Sequence, residues 1–194
     1  MDKTIRDELY KNQTKELYAS LGKFMVKFEL VCHNMRVAIT FILDNSGLKN
    51  QQVANIILTG QTAEPLKSIL RSLIGETVQL NENEQKVIKN IFGRIQQLIE
   101  NRNNIVHGTW FIGWSNDAMT DFSEASGFKL YKNKDGSATK IYRNKKEDFE
   151  KLSKEAEIIS ELVLRLDGCI LGKMSIEKNF NFDEDGNVIQ RKGK

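Results

Sequence analysis

Proline is nearly missing from this chain: Pro65 is the one proline among 194 residues. Long helices therefore meet few interruptions, and proline-rich linkers or polyproline architectures are excluded. Cysteine is also scarce. Cys32 and Cys169 each sit inside an apolar helical pattern, so the expectation is two buried, reduced thiols rather than a disulfide scaffold or a cysteine zinc site. No run reaches the roughly 18–20 apolar residues that a membrane helix needs. The opening stretch MDKTIRDELYKNQTKELY is charged and amphipathic and lacks a signal-peptide core, which predicts a cytoplasmic protein without membrane contact. Charge of one sign is not in excess either. The net charge is +3, which does not by itself point to a nucleic-acid partner. A glycine-rich phosphate loop, a serine nucleophile elbow and a metal-ligand cluster are all missing, so neither a cofactor nor a metal is expected.

What remains is 40% hydrophobic and 28% charged residues, a balance that suits a helix-rich globule. Residues 4–44 read as one helix, with Leu21, Phe24, Met25, Phe28, Val31, Cys32, Met35, Ile39 and Ile42 at spacings of three and four. Asp44-Asn45-Ser46-Gly47 ends it. A second helix is expected over 50–58. A third is expected over 62–74, with Thr62 as N-cap and Pro65 in the first turn. A fourth, capped within 81–83, is expected over 84–106 and stopped by Gly108. Periodicity then switches to short β-prone runs at 109–114, 128–131 and 139–143, with a hairpin turn at Asn133-Lys134-Asp135-Gly136. A last long helix is expected over 146–171, and residues 180–191 read as a second small hairpin or a loose tail. The fold class predicted is mostly α, a helical bundle with a small β-hairpin inserted before the last long helix. Residues 1–175 would form one domain, including an insert at about 109–143, with a hairpin or tail over 176–194.

One segment breaks the pattern. The buried stripe of the fourth helix runs Ile88, Ile91, Ile95, Leu98, and then meets Arg102 where an apolar residue is due, before Ile105. A charge there needs a partner or a function, because burying an unpaired ion is costly. Asn103 and Asn104 follow, both weak helix formers. His107 lies five residues after Arg102, about 140° away around a straight helix. Gly108 frees the backbone at that point to turn His107 back toward Arg102. An arginine that grips phosphate and a histidine that moves protons would then share one helix end. The alternative is an Arg102 paired with an internal acid and a His107 that merely closes the helix.

The segment Arg102-Asn103-Asn104-Ile105-Val106-His107 resembles the arginine–polar–spacer–histidine signature of the HEPN superfamily, helical domains in which that motif ends a long helix. The longer string ENRNNIVHGTW is similar to stand-alone members found in microbial toxin and defence systems. The resemblance implies RNA cleavage without a metal, in which a 2′-hydroxyl attacks the adjacent phosphate. His107 would be the acid–base group, Arg102 would bind and neutralise the phosphate, and Asn103 would orient both. It also implies a homodimer, with two motifs facing each other across a cleft. RNA is the expected substrate, a second copy the expected partner, and an antitoxin or regulatory protein a further candidate partner. The same fold also serves as noncatalytic RNA- or protein-binding dimerisation modules, which stands as the alternative.

Glu29, His33, Arg36 and Thr40 are spaced four, three and four on the first helix. They form a polar line that would border the same cleft, with Glu29 holding Arg102 or His107 and Arg36 contacting RNA. The alternative is a solvated face with a Glu29–His33 pair. Trp110 and Trp114 beside the motif would stack bases or pack the hairpin on the bundle. Lys129, Lys132, Lys134, Lys140, Arg143, Lys145 and Lys146 make the hairpin basic, either as solvated strand-edge charges or as a guide for RNA. The run from Asn181 to Gly186 opens like a calcium loop, but Lys192 stands where a glutamate is required, so a hairpin turn is expected there.

Overall fold

A computed structural model describes residues 3–113, 122–134 and 136–191. Six helices and five strands occur among them: α1 (Lys3–Asn45), α2 (Gln51–Leu58), α3 (Ala63–Thr77), α4 (Glu82–Val106), β1 (Thr109–Ile112), β2 (Glu124–Asn133), β3 (Gly136–Lys145), α5 (Lys146–Leu171), α6 (Ile176–Asn179), β4 (Phe180–Phe182) and β5 (Val188–Gln190). The protein is mostly α, with a small antiparallel sheet ahead of the last long helix. No helix among the described residues is long and apolar enough to cross a membrane.

The chain divides into two compact units. The first joins Met1–Phe28 to Glu100–Glu155, and the second joins Glu29–Ile99 to Ala156–Lys194. Helices α1, α4 and α5 contribute residues to both.

In the first unit, Leu17, Phe24 and Phe28 of α1, Ile105 of α4, Ala125 of β2 and Phe149 of α5 are buried. The insert is a hairpin, β2–β3, with β1 added as a third strand in the order β1-β2-β3. Asn133 pairs with Gly136 across the tight turn, where Gly136 takes φ +130. Ion pairs at the surface include Lys146 with Glu16 at 3.3 Å. That contact raises the Lys146 pKa.

In the second unit, the apolar positions of α1, α3, α4 and α5 meet. Met35, Ile39, Leu66, Ile91, Ile95 and Ile159 are fully shielded. Asn34 Nδ2 donates to Ser160 Oγ at 2.6 Å, tying α1 to α5 inside the core. Cys32 and Cys169 are both buried and form no disulfide among the described residues, and burial pushes the Cys169 thiol pKa up. A buried thiol held protonated is a poor nucleophile.

Several element ends differ from the sequence expectation, each for a local reason. Helix α4 begins at Glu82 because Asn81 caps it in a reciprocal box: Glu84 N–H donates to Asn81 Oδ1 at 2.9 Å, and Asn81 N–H donates to Glu84 Oε2 at 3.2 Å. Helix α3 continues past Ile74 to Thr77, and Thr62 flanks it without a side-chain capping bond. The C-terminal segment is a hairpin, β4–β5, preceded by the short α6 that the sequence did not suggest. Asp183 Oδ1 accepts from the N–H groups of Asp185 and Asn187, so its carboxylate closes the turn. Lys192 and Trp114 lie outside the described residues.

Candidate functional site

The last turns of α4 belong to the first unit. Arg102 is half-buried there. Its guanidinium carbon lies 5.7 Å from the centroid of the Phe28 ring. Its Nη1 donates to Asn103 Oδ1 at 3.2 Å. Its Nε is buried and has no hydrogen-bond partner. Among the described residues no carboxylate lies within ion-pair distance of it, so the internal acid that would make Arg102 purely structural is missing. A cation stacked on an aromatic face is partly stabilised by the ring quadrupole. An orphaned buried donor still costs about 1–3 kcal/mol.

His107 follows the helix end. Its backbone N–H still bonds to Asn103 O at 3.1 Å, so the helical turn carries it one residue past Val106. The side chain is exposed and makes no side-chain hydrogen bond or ion pair among the described residues. No hydrogen bond among the described residues joins it to Arg102.

Gly108 follows the end of α4, as the sequence predicts, without a positive φ. It is needed for room. A Cβ there would stand 2.9 Å from Asn104 O and 3.2 Å from Trp110 Nε1. The close approach lets the Trp110 indole N–H donate to Ile105 O at 2.7 Å, satisfying one of the carbonyls that a helix end leaves open. The indole also lies edge-on to Phe149, with centroids 6.1 Å apart, and crosses Gly127 on β2. Trp110 therefore fixes the strand to the helix end that carries the motif.

Asn104, which the sequence reading left without a role, accepts at Oδ1 from Lys129 Nζ of β2 at 3.2 Å. Three consecutive side chains, Arg102 to Asn104, are thereby held by one another or by the sheet. The partners Phe28 and Lys129 come from distant segments, so local periodicity carries no signal of either pairing.

The other proposed residues, Glu29, His33 and Arg36, belong to the second unit. Glu29 and His33 are exposed, and no hydrogen bond or ion pair joins them. Arg36 is half-buried and its Nη2 donates to Gln61 O at 3.0 Å, closing the loop that precedes α3. Thr40 Oγ1 bonds back to Arg36 O at 2.9 Å. The sequence signal that singled out Arg102, a cation inside an apolar stripe, applies equally to Arg94. That residue is 9% exposed and donates from Nη1 to Val188 O at 2.8 Å, which pins β5 to α4.

A cavity of about 720 Å³ opens in the second unit, with Glu84, Cys169 and Met174 in its wall. Glu84 is occupied there by capping Asn81 and by accepting from Ile176 N–H at 3.0 Å. Compared with models of known protein families, with curated proteins and with solved structures, the chain finds no match in any of the three.

Proposed function

We propose that the chain is a metal-independent endoribonuclease, acting as a toxin or phage-defence effector through Arg102, Asn103 and His107. The observation that carries this reading is the state of Arg102. Its guanidinium is half-buried, unneutralised by any carboxylate among the described residues, and steadied by Asn103 and the Phe28 ring. A planar fork with unused donors suits a phosphate, whose oxygens accept from it directly.

In the proposed reaction, the 2′-hydroxyl of one nucleotide loses its proton and attacks the adjacent phosphorus. The bond to the 5′-oxygen of the next nucleotide breaks, and that oxygen takes up a proton. The products are a 2′,3′-cyclic phosphate and a 5′-hydroxyl. Arg102 bears the extra negative charge of the pentacoordinate phosphorane, the kind of charge that preorganised donors stabilise most. His107 moves a proton, since an imidazole works on both sides of neutral pH. One histidine serves as base or as acid in a single pass. A second copy of the chain would supply the other.

Incubation of purified protein with single-stranded RNA in excess EDTA is the direct test. Cleavage is expected to persist at an undiminished rate. Loss of cleavage on chelation, restored by a divalent metal, would overturn the mechanism. Tight RNA binding with no cleavage under any condition would favour the noncatalytic module instead.

A further inference from the structure

Lys129 of β2 and Lys140 of β3 are directly opposite each other in the sheet register. Directly opposed side chains point to the same face of a sheet, and like charges in that arrangement are destabilising. Neither ammonium group is neutralised by a carboxylate among the described residues. Lys129 Nζ leans toward the helix end and donates to Asn104 Oδ1. Lys140 Nζ lies 5.0 Å from the centroid of the Tyr142 ring. Two cations have been placed together at a cost, and each leans on a neutral group.

Period-two alternation puts Tyr131 on this face too, two residues beyond Lys129, with its ring 47% exposed. Trp110 lies on the same face, opposite Gly127. Through Asn104 the face is tied to the end of α4, the helix that also carries Arg102. The face thus carries a row of two cations without acidic partners among the described residues, Lys129 and Lys140, beside the exposed Tyr131, and it borders the helix end that carries Arg102. A polyanion with regularly spaced charges and flat bases matches that row, because phosphates take the cations and a base can stack on the ring.

We infer that Lys129, Lys140 and Tyr131 form a subsite for single-stranded RNA, holding the phosphates and one base of the strand whose scissile phosphate sits at Arg102. The inference rests on the ribonuclease reading for that last phosphate. It adds that the sheet insert is the part of the protein that grips the substrate. The opposed lysines are then explained: the repulsion they cost the free protein is relieved when RNA phosphates enter between them.

The test uses a fluorescein-labelled RNA of roughly 12 nucleotides, 2′-O-methylated throughout so that no 2′-hydroxyl can attack. Binding is followed by anisotropy over a salt series, beside cleavage of the unmodified RNA. Lys129→Gln combined with Lys140→Gln is expected to weaken binding about tenfold and to lower the salt slope by about 1.4, the release expected for two single-strand phosphate contacts. Lys140→Glu alone is expected to keep or raise Tm, since it places opposite charges across the strands, and yet to weaken RNA binding. Those opposed signs separate a binding role from a structural one. Wild-type protein that cleaves RNA, with variants that bind as tightly and with the same salt slope, would overturn the subsite and spare the catalytic reading. Wild-type protein that binds but never cleaves, with variants that bind weakly, would support the subsite and overturn the catalytic reading. Wild-type protein that binds no RNA would overturn both.

Discussion

Replacing His107 by alanine is expected to slow RNA cleavage about 10²- to 10⁴-fold, the usual contribution of one positioned acid–base group. Stability should change by less than about 0.5 kcal/mol, because the side chain is exposed and makes no hydrogen bond or ion pair among the described residues. The two readouts together make the substitution informative. A large loss of single-turnover rate at saturating RNA in a protein with unchanged unfolding midpoint and unchanged RNA affinity points to the chemical step. Arg102→Lys should behave similarly in rate, losing about 10²- to 10³-fold, because an ammonium cannot offer the planar pair of donors that Asn103 and Phe28 hold in place. Single-turnover rates and urea midpoints for both variants check this. Cleavage within a factor of a few of wild type would remove the residue concerned from the mechanism.

The second large effect concerns stability. Asp167 on α5 is 7% exposed, and its Oδ1 has no hydrogen-bond partner. Burial pushes its pKa up to about 6, from the usual 3.8. The folded state therefore holds the proton more tightly than the unfolded chain does. The stabilisation that follows is fully present below about pH 4 and is lost as pH rises through about 6. Between about pH 5 and pH 8 the loss amounts to about 1 kcal/mol, and the full difference approaches about 3 kcal/mol. Asp167→Asn keeps the shape and cannot ionise. Urea unfolding of the variant should lack this slope, and the variant should be the more stable protein at pH 8. Parallel stability profiles for variant and wild type across that range would show that Asp167 keeps an ordinary carboxylate pKa in the folded protein.

The fold was legible wherever a single element carries its own signal. The long apolar stripe of α1, the switch from helical to alternating pattern after Gly108, and the span Lys146–Leu171 all follow from local periodicity and turn chemistry. The start of α4 was missed by two residues because the Asn81–Glu84 box admits Glu82 and Asn83 into the first turn. The candidate site was legible only as an anomaly. A stripe that asks for an apolar residue and receives Arg102 announces that something is unusual there, and gives no hint of what faces it. Phe28 and Lys129 are brought to the motif by tertiary packing, which no local pattern encodes. Arg94 shows how far the anomaly can be trusted, since the same signal there marks a structural anchor for β5. Gly108 is instructive in another way. Its place after the helix end was legible, and the room it leaves for the Trp110 indole was not, because that packing exists only once the strand is laid against the helix end.

The polar line on α1 divides on inspection. Arg36 has a structural partner in Gln61 O, whereas Glu29 and His33 stand in solvent without one another. Exposed groups of that kind are free to meet a second copy of the chain.

The most direct measurement is the chemistry of the cut ends. RNA cleaved by the purified protein in EDTA should carry 2′,3′-cyclic phosphates and 5′-hydroxyls, and a substrate with a single 2′-deoxynucleotide should resist cutting at that linkage alone. Fragments ending in 3′-hydroxyls and 5′-phosphates, or normal cutting at the 2′-deoxy linkage, would contradict the assignment of Arg102 and His107 to an attack by the neighbouring 2′-hydroxyl.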